Sequence, residues 1–262
     1  MLQLDSVTYA YPGSPPIFQD YSWQVGRGQA WTVLGPSGCG KTTLLYLLAG
    51  LRFPTCGHVR VDGQSLARPR PRTGLILQDY GLLPWATVRQ NAALGLRVRN
   101  FYGPDGKHAP PNYIPEKDVQ PWLERLGLSD QAEKYPHQLS GGQRQRTAIA
   151  RTLALKPDLL LMDEPFSSID APTREGLQAL TLELYSEQNL TLVLITHAIE
   201  EAAYIGQRIL LLSRIPNTQA QVIENPSAGS PGYRYSADYT ALCRELRQRM
   251  EAHDLAAMLV TT

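Results

Sequence analysis

GPSGCGKT, residues 35–42, decides the fold class. It satisfies G-x-x-x-x-G-K-[ST] at every position, and it stands between the apolar run AWTVL (30–34) and KTTLLYLLAGL. Leu44, Leu45, Leu47, Leu48 and Leu51 in the second stretch predict a buried helix. Strand, glycine-rich turn and helix in that order make a phosphate cradle. Gly35, Gly38 and Gly40, with Pro36, Ser37 and Cys39 between them, let backbone N–H groups approach phosphate oxygens. The helix N-terminus adds its positive dipole end. Lys41 supplies a point charge for the β and γ phosphates, and the Thr42 hydroxyl can ligate Mg2+, with Thr43 completing the nucleotide-binding run. A glycine turn that merely caps a helix is the competing reading; strand, helix and Lys-Thr together argue against it. The chain is predicted to bind a nucleoside triphosphate. A helix N-terminus also lowers the pKa of a thiol, so alkylation of Cys39 is expected to slow nucleotide binding, unless Cys39 is only a small tolerated residue.

The rest of the sequence bounds this reading. With 262 residues the chain can form one large α/β domain or two small ones. Lys plus Arg total 25 against 24 Asp plus Glu, so a net charge of +1 offers no whole-chain reason to expect nucleic acid. Cys39, Cys56 and Cys243 have no metal-ligand spacing and cannot all pair, which fits a reducing cytosol. MLQLDSVTYAY lacks the features of a signal peptide, and no apolar window approaches the roughly 18 residues of a membrane span.

Strand signals recur at LQLDSVTYAY (2–11), HVRVDG (58–63), TGLILQ (73–78), DLLLMDE (158–164), LTLVLIT (190–196) and RILLLS (208–213). The proline-rich NFYGPDGKHAPPNYIPEKD (100–118) reads as a surface loop or insertion. A helical block follows from VQPWLERLGL to about Leu155, and REGLQALTLELYSEQ predicts another helix. Apolar strands alternating with helices imply a parallel sheet covered on both faces, with the helical block inserted into it. Beyond residue 214 the strand signal is lost, and Leu242, Leu246 and Met250 predict a terminal helix.

LLLMDEP (159–165) delivers two carboxylates to the C-terminal edge of a strand, where open α/β sheets carry ligands. Asp163 can hold Mg2+, usually through water, and Glu164 can orient or deprotonate an attacking water. His197 ends LTLVLIT in the same way and can hydrogen-bond the γ-phosphate or that water. Gln78 ends TGLILQ, where its amide could touch both the metal and a neighbouring loop. In HQLSGGQRQR (137–146), Ser140 reads locally as a helix cap, with Gly141 and Gly142 loosening the helix entry.

The order phosphate loop, Gln78, LSGGQ (139–143), LLLMDEP, SSID (167–170) and His197 resembles the ATP-binding subunits of ABC transporters over about residues 1–213. The resemblance implies a P-loop NTPase (RecA-like) α/β fold. Its mixed, largely parallel sheet core would carry an N-terminal antiparallel β region and a helical subdomain at about 85–157. The ATPase domain would be 1–214 and the tail 215–262.

The same resemblance implies an ATP hydrolase using ATP and Mg2+, with two copies facing head to tail. Leu139, Ser140, Gly141, Gly142 and Gln143 of one copy would cover the γ-phosphate held by the other, Ser140 and the Gly142 N–H donating hydrogen bonds. SSID, with Ser168 and Asp170, would form the loop between the two sites. Tyr11 occupies the place of the aromatic that stacks on adenine, and Tyr9 competes for the role.

QDYGLLPWATVRQNAALGL (78–96) more narrowly resembles importers of the nitrate, sulfonate and taurine group. There Leu83, Pro84 and Trp85 would form an exposed apolar knob against a membrane permease; otherwise Trp85 belongs to the core. The implied partners are a second ATP-binding subunit, in a homodimer, an integral membrane permease and, indirectly, a solute-binding protein, with no nucleic acid. The implied location is the cytoplasmic face of the inner membrane. The 100–118 loop is longer and richer in proline than that group suggests, and the tail is too short for a regulatory domain. Competing classes are a soluble ABC ATPase acting on DNA or ribosomes and an exporter subunit. The coiled-coil insertion or second cassette usual in the first is not visible.

Overall fold

The computed structural model describes residues 1–103 and 118–258, and of these the side chains up to 252, so most of the loop expected at 100–118 lies outside the described residues. The chain divides into two compact units, Met1–Arg70 with Gln178–Thr262, and Pro71–Leu177.

The first unit opens with strands β1 (Leu2–Ala10) and β2 (Pro16–Val25), then β3 (Ala30–Leu34), helix α1 (Lys41–Ala49), β4 (Cys56–Val61) and β5 (Gln64–Ser65). β1 lies between β2 and β4 in an antiparallel sheet with β5 at its edge. The inward residues of β1 are Leu2 and Leu4, then Val7 and Tyr9. A register shift between Leu4 and Val7, with Ser6 at φ 47°, changes the parity midway, and the alternation is therefore only partial in sequence. β2 breaks parity in the same way, at Asp20 with φ 50°: Phe18 and Tyr21 are both buried, and the alternation is regular only from Tyr21 to Val25. β3 is buried throughout, and α1 ends on Gly50 in the left-handed conformation.

In the second unit, β6 (Thr73–Ile76) is followed by α2 (Val88–Tyr102), α3 (Gln120–Arg125), α4 (Gly141–Leu153), β7 (Leu159–Asp163) and the start of α5 (Ala171–Glu187). β6 and β7 pair in parallel, and α4 packs on α2, α3 and β6. A Cβ at Gly74 would stand 2.3 Å from Thr152 Cγ2, so the absence of a side chain lets α4 lie close on β6.

The chain then completes the first unit with β8 (Thr191–Ile195), α6 (Ile199–Ile205), β9 (Arg208–Leu211), β10 (Gln221–Glu224) and α7 (Ala237–Met258). β3 pairs in parallel with β8 on one side and β9 on the other, and β10 runs antiparallel to β9. β10 corrects the expectation of a strandless tail: in QVIE only Ile223 is buried, so an edge strand left almost no apolar pattern. The expected terminal helix is α7, whose Leu242, Leu246 and Met250 pack with Leu34, Ala202, Ile209 and Leu211. Among the described residues no helix is long and apolar enough to cross a membrane.

Candidate nucleotide-binding site

In the first unit the phosphate loop joins β3 to α1. Gly38 and Gly40 have φ 77° and 101°, backbone that L side chains rarely adopt. A Cβ at Gly40 would also stand 2.3 Å from Ile17 Cγ2, and one at Gly35 2.6 Å from Cys39 Sγ. Lys41 is almost buried, and its ammonium donates to the carbonyls of Gly35 (2.7 Å) and Pro36 (2.9 Å), holding the charge over the loop. The first turn of α1 carries no acidic residue and no side-chain cap, so its dipole end is not offset from within the helix. Thr42 is exposed and Thr43 buried.

The register of β3 on β8 aligns Val33 with Ile195. Gly35 and His197 each follow two residues later, so loop and imidazole leave the same edge of neighbouring strands, about 4.8 Å apart. His197 is exposed, and the Thr196 N–H donates to Val33 O at 3.1 Å. Tyr9 is buried in the sheet at 6% exposure, whereas Tyr11 is half-buried, its hydroxyl 3.3 Å from Thr43 Oγ1 beside the loop. Its ring meets Tyr9 edge-on, with the Arg52 guanidinium 5.8 Å from the centroid.

Cys39 departs from expectation. Its thiol is 2% exposed, and burial pushes its pKa up, outweighing the nearby Lys41 charge and the backbone hydrogen bonds that favour thiolate. The sulfur faces the packed side of the loop, so burial opposes the reactive thiolate expected at a helix N-terminus.

The second unit holds the acidic strand. β6 aligns Ile76 with Met162, so Gln78 and Glu164, each two residues further on, come side by side, and Gln78 Nε2 donates to Glu164 Oε2 at 3.3 Å. Asp163 is buried at 6% exposure. Glu164 is half-buried with φ 43°, a left-handed conformation costing about 1–2 kcal/mol for a residue with a Cβ. Ser167 supports this turn by donating to Glu164 O from its hydroxyl (3.0 Å) and its N–H (3.3 Å).

LSGGQ begins α4. The Gln143 N–H donates to Ser140 Oγ at 3.2 Å and the Ser140 N–H donates to Gln143 Oε1 at 2.9 Å, a reciprocal capping box. Accepting a bond leaves the Ser140 hydroxyl its own proton to donate. Leu139 is buried and Ser140 exposed. A Cβ at Gly142 would stand 2.6 Å from Thr173 Cγ2 at the start of α5, while one at Gly141 would meet Ser168 O at 3.4 Å. In SSID, Asp170 Oδ2 accepts the Thr173 N–H at 3.2 Å, and hydrogen bonds from Thr173 hold the Asp170 carboxyl below the usual carboxylate range.

Trp85 is 74% exposed, Pro84 is exposed and Leu83 half-buried, so the apolar knob is real and Trp85 is not core. Sequence reasoning missed the residues that hold this segment. Buried Asn91 accepts the Leu83 N–H (2.7 Å) and donates to the carbonyls of Leu83 (3.1 Å), Ala86 (2.9 Å) and Thr87 (3.1 Å). Arg151 of α4 donates to Tyr80 O (2.7 Å) and Gly81 O (2.5 Å), and Tyr80 Oη lies 2.8 Å from Ser168 Oγ. An asparagine or arginine in a helix carries no local sign of a distant loop that it will tie down.

Cradle, acidic strand and parallel strand pairing define a P-loop ATPase: an α/β protein with mixed, largely parallel strands and an antiparallel N-terminal sheet, which binds and hydrolyses ATP. The profile of the family described as ABC transporter matches residues 18–167, and the chain belongs to that family. It is 36% identical over 239 residues to an aliphatic sulfonates import ATP-binding protein (SsuB) of Bacillus anthracis, covering 91% of this chain and 90% of that protein. It is 42% identical over 200 residues to a taurine import ATP-binding protein (TauB) of Pseudomonas aeruginosa, covering 76% and 73%. Among solved structures it is similar to the dimeric structure of MJ0796, a bacterial ABC transporter cassette, with TM-score 0.72, 28% identity and coverage of 86% and 98%. It is also similar to a post-hydrolysis state of that cassette bound to ADP and phosphate, with TM-score 0.70 and 28% identity.

Proposed function

We propose that this chain is the ATP-hydrolysing subunit of a bacterial importer of nitrate, sulfonate, taurine or a related small solute. It works as a homodimer on the cytoplasmic face of the inner membrane, against a permease fed by a solute-binding protein. The observation that carries this reading is the exposed Leu83-Pro84-Trp85 knob, held by four hydrogen bonds to buried Asn91 in a segment the permease would meet. The two curated relatives, one for aliphatic sulfonates and one for taurine, support the solute class. The working parts would be an ATPase domain at 1–214, its helical subdomain at about 85–157, and the tail 215–262.

The roles follow from side-chain chemistry. Tyr11 stacks on adenine. Backbone N–H groups at 35–43 and the Lys41 ammonium hold the β and γ phosphates. Glu164 takes a proton from the attacking water as oxygen bonds to the γ-phosphorus and the bond to the leaving ADP oxygen breaks. Gln78 orients the Glu164 carboxylate, and His197 holds the γ-phosphate or the water. The Thr42 hydroxyl, Asp163 and the Gln78 amide oxygen are the hard donors Mg2+ prefers. With the Gln78 NH2 directed at Glu164, its oxygen would be the atom left to hold the metal. Mg2+ would supply charge neutralisation on the phosphates. LSGGQ of the second copy, led by Ser140 and the Gly142 N–H, closes over the γ-phosphate, and Ser168 and Asp170 lie between the two sites.

The test is affinity purification of tagged Glu164→Gln with ATP from host membranes in mild detergent. A multi-span permease in stoichiometric yield is expected. Recovery only with ribosomes, DNA or no partner would overturn the importer reading.

A further inference from the structure

We propose that Asn217, in the tail, is a positioning residue of the phosphate loop; the proposal rests on reading residues 35–42 as the triphosphate cradle. Asn217 is 1% exposed. Its amide nitrogen donates to Cys39 O at 2.8 Å, inside the loop, and to Ile17 O on β2 at 3.2 Å. Its amide oxygen accepts the Ser213 N–H at 2.9 Å and the Ser213 hydroxyl at 3.4 Å. Both donors and the acceptor of a buried amide are thus satisfied, so the side chain has one orientation. The backbone is held too: the Asn217 N–H donates to Ile17 O at 2.8 Å, and the Gln19 N–H donates to Asn217 O at 3.0 Å. Each of these partners belongs to the unit that carries the loop.

The bond to Cys39 O sets a peptide plane. In a trans peptide the carbonyl and the following N–H point in opposite directions. Drawing the Cys39 carbonyl toward Asn217 therefore turns the Gly40 N–H away from it, out of the packed side of the loop. That N–H is one of the donors a phosphate cradle needs. Gly40 sits at φ 101°, with Ile17 Cγ2 where a Cβ would go. Asn217 binds the carbonyl of that same Ile17, so one amide fixes the loop and the wall it rests on. Without it, the Cys39 carbonyl loses its side-chain anchor, the Cys39–Gly40 peptide is less tightly ordered, and the entropy of ordering it must be met when phosphate binds.

The experiment compares Asn217→Ala with Asn225→Ala. Asn225 is an equally buried tail asparagine whose amide bonds Ala203 O (2.8 Å), Gly206 O (2.9 Å) and the Tyr233 hydroxyl (2.6 Å) and makes none to the loop. Both are made in a Cys56→Ser background, which removes the exposed thiol, and read by ATP Kd and by the rate of Cys39 alkylation. Asn217→Ala is expected to weaken ATP binding and to speed alkylation about tenfold each, the scale of one buried hydrogen bond. Asn225→Ala should leave both within about twofold while lowering thermal stability. Wild-type values in Asn217→Ala, or the same losses in Asn225→Ala, would overturn the proposal. If Asn217→Ala does not fold, Asn217→Asp serves: it keeps the acceptor for Ser213 but sets an oxygen against Cys39 O, and wild-type ATP affinity there refutes the role. Lys41→Ala is measured alongside; if it keeps full ATP affinity, the cradle reading fails by itself, whatever Asn217 does.

Discussion

Asn91→Ala should destabilise the protein by about 2 kcal/mol, although Asn91 touches no nucleotide motif. The side chain is fully buried and makes four hydrogen bonds to the segment carrying the knob. Two of its acceptors keep another partner: Leu83 O receives the Ala86 N–H at 3.2 Å, and Thr87 O receives the Asn91 N–H at 2.8 Å. Truncation therefore strips chiefly the Leu83 N–H and the Ala86 carbonyl. At about 1–1.5 kcal/mol for each buried group left unmet, the loss is about 2–3 kcal/mol. Alanine's better helix propensity returns about 0.6 kcal/mol near the start of α2. Asn91→Asp should cost at least as much, since it keeps the acceptor for Leu83 but turns an oxygen on the carbonyls. Urea unfolding followed by circular dichroism measures both. A loss below about 0.5 kcal/mol in either variant would refute the hydrogen-bond account of this loop.

Trp85→Ala, by contrast, should change stability by no more than about 0.5 kcal/mol because the ring is exposed, while sharply reducing recovery with membranes. A stability loss above about 1 kcal/mol would mean that the ring is packed after all. Ser140→Arg should leave ATP affinity within about twofold, since the cradle lies elsewhere in the chain, and lower turnover at least about 100-fold. An active variant would exclude a shared site. Burial raises the Cys39 pKa, so this thiol contributes stability below the ordinary unfolded value of about 8.5 and loses it as pH rises through the folded value. Iodoacetamide should accordingly label Cys39 slowly at neutral pH and faster only above the ordinary thiol range; rapid labelling at neutral pH would contradict the buried geometry.

Features carried by contiguous residues were legible in the sequence. AWTVL followed by GPSGCGKT is at once strand, turn and chemistry, and β3 has the bounds that its apolar run suggests. The local reading of LSGGQ describes what the structure shows, since Ser140 and Gln143 cap α4; the phosphate cover belongs to the proposed function. Features set by interruption or by distant partners were not legible. β2 was missed although YSWQV (21–25) alternates, since the break at Asp20 leaves only half the strand in that pattern, and β10 because an edge strand with one buried residue has no pattern.

By itself the sequence determined the class of chemistry, because a triphosphate cradle, an acidic strand end and a glycine-rich helix cap are local arrangements of neighbouring residues. Only the tertiary structure decided which separated residues serve them. Strand register brings Gln78 to Glu164 and His197 beside the loop, and burial raises the Cys39 thiol pKa where the helix N-terminus alone would lower it. The fold also carries Asn217 back to a loop some 180 residues earlier in the chain, its amide 2.8 Å from Cys39 O. A hydrogen bond depends on distance in space, and spacing along the chain does not encode that distance.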